Sequence, residues 1–215
     1  MTAGLYVRRL RVVAGGRLLL DVGELQIPEG ALVVVSGAAS SGKTVLAAAL
    51  GGAVDSTGEV EVRGRRLEGA PSQRRRGGLA VSLRDGTRIV GCTVDEALTL
   101  ASGGHQRRHE ALDRFPALAA RRAVLAQLLS GGEQQMLQVA CSWSAEPAAL
   151  VLDSPTVGLA EEVARAVSDL ARSEAERGCS VLWLEQDQRA APTAARYRIT
   201  AGRLEAAAAS VPATD

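Results

Sequence analysis

An α/β fold, a mainly parallel sheet flanked by helices with a small antiparallel β part, is what this sequence predicts, and three observations carry the prediction. Short apolar runs alternate with helical segments along much of the chain. One run, ALVVVS at 31–36, passes through a glycine-rich stretch into KTVLAAAL, a strand, loop and helix in succession. Another, ALVL at 149–152, ends on the carboxylate of Asp153, followed by Ser154 and Pro155.

At 215 residues the chain is long enough for one sizeable domain and short for two. Residues 1–205 are expected to form that domain, with 93–129 as a helical subdomain and 206–215 as a disordered tail. With 25 basic residues against 24 acidic ones, overall charge draws neither nucleic acid nor a membrane surface, so no nucleic-acid partner is expected. The opening MTAGLYVRRLRVV lacks the features of a secretory signal, and no apolar run reaches the roughly 18 residues of a membrane span, which predicts a cytoplasmic chain. Cys92, Cys141 and Cys179 are odd in number and far apart, so they read as small buried hydrophobes. All but one of the 25 basic residues are Arg. Where the exception, Lys43, stands, the chemistry needs a compact ammonium rather than a planar fork.

The elements follow in order. Residues 5–13, 18–27 and 31–36 are rich in β-branched and aliphatic side chains and read as strands. Lys43–Leu50 is made of good helix formers and stops at Gly51-Gly52. Gly58–Gly69 alternates like a short hairpin, PSQRRRGG reads as a polar turn, and LAVSL from Leu79 as a strand. The cluster at Arg63, Arg65, Arg66 and Arg74–Arg76 has no interleaved aromatics and is read as a solvated surface. Residues 93–129 are mainly helical with a break at Phe115-Pro116. His105 and His109 stand four apart there, but no third ligand accompanies them, which favours an exposed helix over zinc. From Glu133 a helix places Met136, Val139, Ala140 and Trp143 on one face. A helix over 161–177 follows, with Val163, Val167 and Leu170 inward, then a strand over 179–184, and a frayed tail after Arg203-Leu204.

Gly37-Ala38-Ala39-Ser40-Ser41-Gly42-Lys43-Thr44 fits G-x-x-x-x-G-K-[ST] at every fixed position. In such a loop the backbone N–H groups and the following helix N-terminus surround phosphate oxygens. Lys43 is assigned to the β and γ phosphates and Thr44 to Mg²⁺. Asp153, at a strand end, then becomes the carboxylate that holds the magnesium shell.

Leu129-Ser130-Gly131-Gly132-Glu133-Gln134-Gln135 precedes a helix and lies upstream of the strand-end Asp153. It resembles the signature of ATP-binding cassette (ABC) ATPases, and the resemblance runs from about residue 5 to 204. Within it, RFPALAARRAVLAQLLSGGEQQML, DSPTVGLA and VLWLEQD are most similar to the ATP-binding subunits of branched-chain amino-acid importers. The resemblance implies a P-loop NTPase fold of ABC type, ATP and Mg²⁺ as cofactors, and a second ATP-binding subunit paired head to tail. Ser130, Gly131 and Gly132 of one subunit would then close over the ATP of the other. It also implies membrane permease subunits, and so a location peripheral to the inner face of the membrane. Gln186 matches the switch position, which is His elsewhere in the family.

The departures bear on mechanism. ABC ATPases usually carry a Glu directly after the strand-end Asp, where this chain has Ser154. A missing base costs about 10²–10⁴ in rate, so hydrolysis at this chain's own site is expected to be weak or partner-dependent. Where relatives place an aromatic against adenine the sequence reads Val13-Ala14-Gly15-Gly16, and Tyr6 lies too early. Where they carry a γ-phosphate-sensing Gln it reads Leu83-Arg84-Asp85-Gly86, with Asp85 as the substitute. An intact signature beside an eroded own site predicts a pair with a competent partner, hetero- rather than homodimeric. The alternative is a non-hydrolysing ABC-like switch or scaffold.

Overall fold

The computed structural model describes residues 3–84, 88–102, 105–186, 193 and 195–207. The chain begins with β1 (Ala3–Ala14), β2 (Arg17–Pro28), β3 (Leu32–Ser36) and α1 (Lys43–Gly51). Next come β4 (Thr57–Val62), β5 (Arg65–Arg66), α2 (Pro71–Arg76) and β6 (Leu79–Ser82). The helical stretch holds α3 (Val94–Ala101), α4 (His105–Arg114), α5 (Pro116–Ala120) and a 3-10 turn at Ala126–Leu128. Then follow α6 (Gly131–Ser144), β7 (Ala149–Asp153), α7 (Glu161–Glu176), β8 (Ser180–Glu185), β9 (Ala195–Thr200) and β10 (Arg203–Ala206).

The strands form one sheet in the order β5-β4-β1-β2-β10-β9-β3-β8-β7-β6. Its parallel half, β3, β8, β7 and β6, is buried on both faces, which is why these strands read as unbroken apolar runs. The β1–β2 and β1–β4 pairs are antiparallel and alternate. Leu5, Val7, Leu10 and Val12 point inward, and the step between Val7 and Leu10 falls where Arg9 takes φ 50° and the pairing with β4 slips. Two cores result. One packs β1, β2 and α1 against Val33, Val35, Val151, Leu182 and Leu184. The other packs α3 to α7 against Val34, Leu150, Leu152, Val181 and Trp183. Because Ser36 pairs with Glu185 and Asp153 with Leu184, the C-terminal ends of β3, β8 and β7 finish side by side, and that edge is where α/β sheets bind ligands.

Several sequence expectations need correction. PSQRRRGG is not a turn alone: Pro71 starts α2, and the Gln73 side chain accepts the Ala70 N–H at 2.8 Å. Arg74 is not a solvated charge either, since its Nη1 donates to Ala49 O and Leu50 O, both at 2.8 Å, satisfying carbonyls at the end of α1. The helix expected from Glu133 begins at Gly131. The sheet continues past Leu204, with Ala206 of β10 opposite Tyr197.

The helical stretch breaks at Phe115-Pro116, as Pro116 at the start of α5 requires. It is tied down by Arg107 of α4, which donates to Glu146 Oε1 at 2.8 Å and to the buried Glu174 Oε1 at 3.1 Å. The same guanidinium lies 4.8 Å from the Trp143 ring centroid. His105 and His109 sit on α4, and no cluster of three metal-ligating side chains occurs among the described residues. Cys141 and Cys179 are buried, with thiols pushed up to about 12 by burial; Cys92 is half-buried. No helix among the described residues is long and apolar enough to cross a membrane.

Candidate functional site

The loop 37–42 leaves the end of β3 and turns into α1 with no side chain capping the helix. Gly37 is the residue that the packing demands, because a Cβ there would meet Ile199 O and Ser41 Oγ, each at 2.5 Å. Gly42, the N-cap, has φ 110°, and a Cβ added to it would lie 3.1 Å from Gly202 Cα in the β9–β10 turn. Ser41 O accepts the Gly202 N–H at 2.8 Å. The β9–β10 turn is therefore a floor for the loop, and nothing in the sequence motif announced it.

Lys43 is buried. Its Nζ donates to Gly37 O at 2.6 Å, Ala38 O at 2.8 Å and Ser41 Oγ at 3.3 Å, so Gly37, Ala38 and Ser41 form the inner side that holds the ammonium. Burial lowers its pKa, against the charges of Asp153 and Glu185. Above it opens a cavity of about 490 Å³. Ala39, Ser40 and Gly42 through Val45 form one wall; Arg84, Ser154 and Gln186 project from the ends of β6, β7 and β8, and Leu19 stands at the rim. With no side-chain cap and no acidic residue in the first turn, the start of α1 presents its N–H groups and positive dipole end to whatever anion enters.

Asp153 is fully buried at the end of β7, with Oδ2 lacking any hydrogen-bond partner. Burial raises its pKa, opposed by the Thr44 hydroxyl, the Arg84 amide and the charges of Lys43 and Arg84. An orphaned carboxylate oxygen beside the Thr44 hydroxyl fits a hard, oxygen-seeking cation, so Asp153 and Thr44 are the residues that would hold Mg²⁺. Bound there, Mg²⁺ would neutralise charge on the β- and γ-phosphate oxygens.

Ser154 is buried, adopts φ 48°, and its Oγ lies 3.5 Å from Asp153 Oδ1. Among the described residues, no acidic side chain lines the cavity. Glu185, passed over in the sequence as part of VLWLEQD, is also buried: Oε2 accepts from Thr156 Oγ1 at 3.2 Å and Oε1 from Gln186 N at 2.8 Å. It braces Gln186 and the turn after Asp153 instead of facing the cavity.

The substitute proposed at Asp85 lies outside the described residues, and the residue of that segment found in the cavity is Arg84. Tyr6 stands far from the loop, on the β1 face with Gln26 and Glu61. Ser130, Gly131 and Gly132 do not join the phosphate cavity. They start α6, with Ser130 and Gly131 exposed, and the Ser130 hydroxyl is closed into a capping box with Glu133 (Ser130 N to Glu133 Oε2, 2.9 Å; Glu133 N to Ser130 Oγ, 3.3 Å).

Comparison with known proteins agrees with this geometry. The ABC transporter family profile matches residues 20–157. The high-affinity branched-chain amino acid transport ATP-binding protein BraG of Pseudomonas aeruginosa is 30% identical over 76% of this chain and 73% of its own length. The Fe(3+) ions import ATP-binding protein FbpC of Streptomyces avermitilis is 35% identical over 86% of this chain, which spans 55% of that protein. The hemin import ATP-binding protein HmuV of Gloeobacter violaceus is 31% identical, over 86% and 72%. Relatives named for such different cargoes do not separate one substrate type from another. Among solved structures, an ATP-binding subunit of an ABC transporter superposes with a TM-score of 0.81 at 21% identity, over 94% of this chain and 88% of that one. A nucleotide-free ATP-binding cassette gives 0.77 at 17% identity. The fold is thus the α/β P-loop type of ABC ATPases, a class that binds Mg-ATP, and the chain belongs to the ABC transporter family as an ATP-binding subunit.

Proposed function

We propose that this chain binds ATP, pairs head to tail with a second ATP-binding subunit that differs from it, and drives a membrane permease while cleaving ATP slowly at its own site. The observation that carries the reading is Ser154: the side chain that follows Asp153 into the cavity is a neutral hydroxyl, and among the described residues no acidic side chain lines that cavity. At neutral pH a hydroxyl does not take a proton from water as a carboxylate does, and a positioned base is worth about 10²–10⁴ in rate.

Each remaining group keeps a binding role. Lys43 and the start of α1 receive phosphates, Thr44 and Asp153 complete the magnesium shell, and Gln186, braced by Glu185, faces the terminal phosphate. Ser130 and Gly131, exposed outside this cavity, and the half-buried Gly132 are assigned to a nucleotide held by the partner, which the Ser130 hydroxyl meets in competition with Glu133. Import of branched-chain amino acids is the transport type we carry forward, on the resemblance of DSPTVGLA and VLWLEQD to the subunits of such importers. The second reading, an ABC-like switch or scaffold that does not hydrolyse at all, draws on the same absence of a base.

The test is Mg·ATP turnover by the purified chain beside a Ser154→Glu variant. A nearly inert natural chain and a variant that gains about 10²-fold or more supports a sound binding site lacking its base. Brisk Lys43-dependent turnover by the natural chain, unimproved by the added carboxylate, would show that another residue positions the water and would sink the asymmetric reading.

A further inference from the structure

The phosphate loop does not account for all the charge in the cavity. Among the described residues two cations line it, Lys43 and Arg84. Lys43 is largely occupied by the loop, donating to Gly37 O, Ala38 O and Ser41 Oγ. Arg84 is exposed, and its guanidinium makes no hydrogen bond or ion pair with any described residue. Its backbone is fixed nonetheless: Arg84 follows β6 by two residues, and its amide serves the carboxylate of Asp153. An anchored backbone with an unengaged planar fork in a cavity beside a helix N-terminus is the arrangement that takes a phosphate group in two parallel hydrogen bonds.

The surroundings sharpen this. A carboxylate at 154 would set a second negative charge near the guanidinium, whose charge already reaches Asp153, whereas Ser154 adds none. On the metal's side, Asp153 offers a buried orphaned carboxylate oxygen, and a divalent cation beside it also feels the positive charges of Lys43 and Arg84. Neutral Ser154 and cationic Arg84 therefore act together: both favour the bare polyanion over its metal complex.

We propose that Arg84 is a phosphate-binding residue of this chain, clasping the terminal phosphate of the nucleotide and supplying positive charge that Mg²⁺ would otherwise bring, so that ATP is held with little dependence on the metal. The proposal rests on the reading of this cavity as an ATP site. It also assigns Arg84 to telling ATP from ADP, because ADP lacks the phosphate that the guanidinium contacts.

Equilibrium binding of ATP and ADP to the purified full chain, with excess Mg²⁺ and with EDTA, tests it on the natural chain, Arg84→Gln and Arg84→Lys. In EDTA the natural chain is expected to lose less than about tenfold in ATP affinity, while Arg84→Gln loses about 10- to 100-fold more, the worth of one charge-assisted contact. ADP affinity stays equal in both, and Arg84→Lys, which keeps the charge without the fork, falls between them. Arg84 is exposed, so the variants keep the fold, and matching thermal melts check this. ATP binding by Arg84→Gln that follows the natural chain in both buffers overturns the assignment, as does a natural chain as dependent on Mg²⁺ as the variant. A natural chain that binds neither nucleotide in either buffer instead overturns the underlying ATP-site reading.

Discussion

Two helices of this chain start at glycine-rich turns that contain serine, and their N-termini are built in opposite ways. α1 begins at Gly42, has no side-chain cap and carries no acidic residue in its first turn. α6 begins at Ser130, which caps the Glu133 amide while Glu133 accepts from the Ser130 amide and hydroxyl. A helix leaves its first four N–H groups without intrahelical partners, and they must be satisfied by something. At α6 the chain satisfies part of that need itself. At α1 that need is left to solvent or an entering anion, and Lys43, held in place by its own loop, adds the positive charge that favours the anion. The comparison separates a preformed phosphate grip from a helix start that is complete alone and admits an anion only in competition with Glu133.

The largest effect that would break the comparison lies in ligand binding. Lys43→Ala is expected to weaken ATP binding by the isolated chain about 100-fold or more, since charge-assisted contacts to phosphate are worth about 1.5–3 kcal/mol each. Ser130→Ala is expected to leave that affinity within about twofold, because Ser130 is outside the cavity. Calorimetric titration of both variants decides it. A loss at Ser130 comparable to that at Lys43 would mean that both helix starts serve one nucleotide in the same chain.

Part of the site was legible in the sequence, and the reasons differ by residue. The phosphate loop and the strands of the parallel half were readable because their signals are local, a fixed glycine spacing and apolar runs buried on both faces, whereas the order of those strands and the capping box at α6 were not read. Asp153 and Ser154 were readable because they directly follow such a run. The role of Arg84 was hidden, because which residue of Leu83-Arg84-Asp85-Gly86 enters the cavity depends on where β6 stops. Glu185 was hidden for a related reason: its partner Thr156 is on a neighbouring segment, 29 residues away. The Gly202 turn beneath the loop depends on β9 and β10 joining the sheet, a pairing that no local pattern encodes. Arg74 was misread because composition does not reveal that α1 ends with open carbonyls within its reach.

The next effect in size concerns the glycines themselves. Gly42 takes φ 110°, and an added Cβ would lie 3.1 Å from Gly202 Cα. Gly42→Ala is therefore expected to cost about 1–3 kcal/mol, with the strain placed directly in the phosphate loop. Gly131 sits in the first turn of α6 with nothing within 4 Å of an added Cβ and no positive φ. Gly131→Ala is expected to gain up to about 0.5–1 kcal/mol, as Ala costs less backbone entropy in a helix. Urea unfolding midpoints measure both, and shifts of the same sign would remove the distinction between a strained loop and a relaxed one.

The smallest effect is electrostatic and belongs to α6 alone. Hydrogen bonds from the Ser130 amide, then from its hydroxyl, hold the Glu133 carboxyl below its ordinary value of 4.5, with Arg121 contributing. A carboxylate whose folded pKa is depressed stabilises the fold above its unfolded pKa, and that contribution is lost as pH falls through the lower folded value. The natural chain is thus expected to keep a constant stability advantage over Glu133→Gln from pH 7 to about 5 and to lose it progressively below about 4.5. The group is largely solvated, so screening keeps the advantage small, and matched unfolding midpoints at pH 6 and pH 3.5 are needed to see it. A difference that persists unchanged at pH 3.5 would mean that the cap works through shape alone. Convergence at low pH would mean that the ionised carboxylate, the group any incoming phosphate must displace from Ser130, is what closes the start of α6.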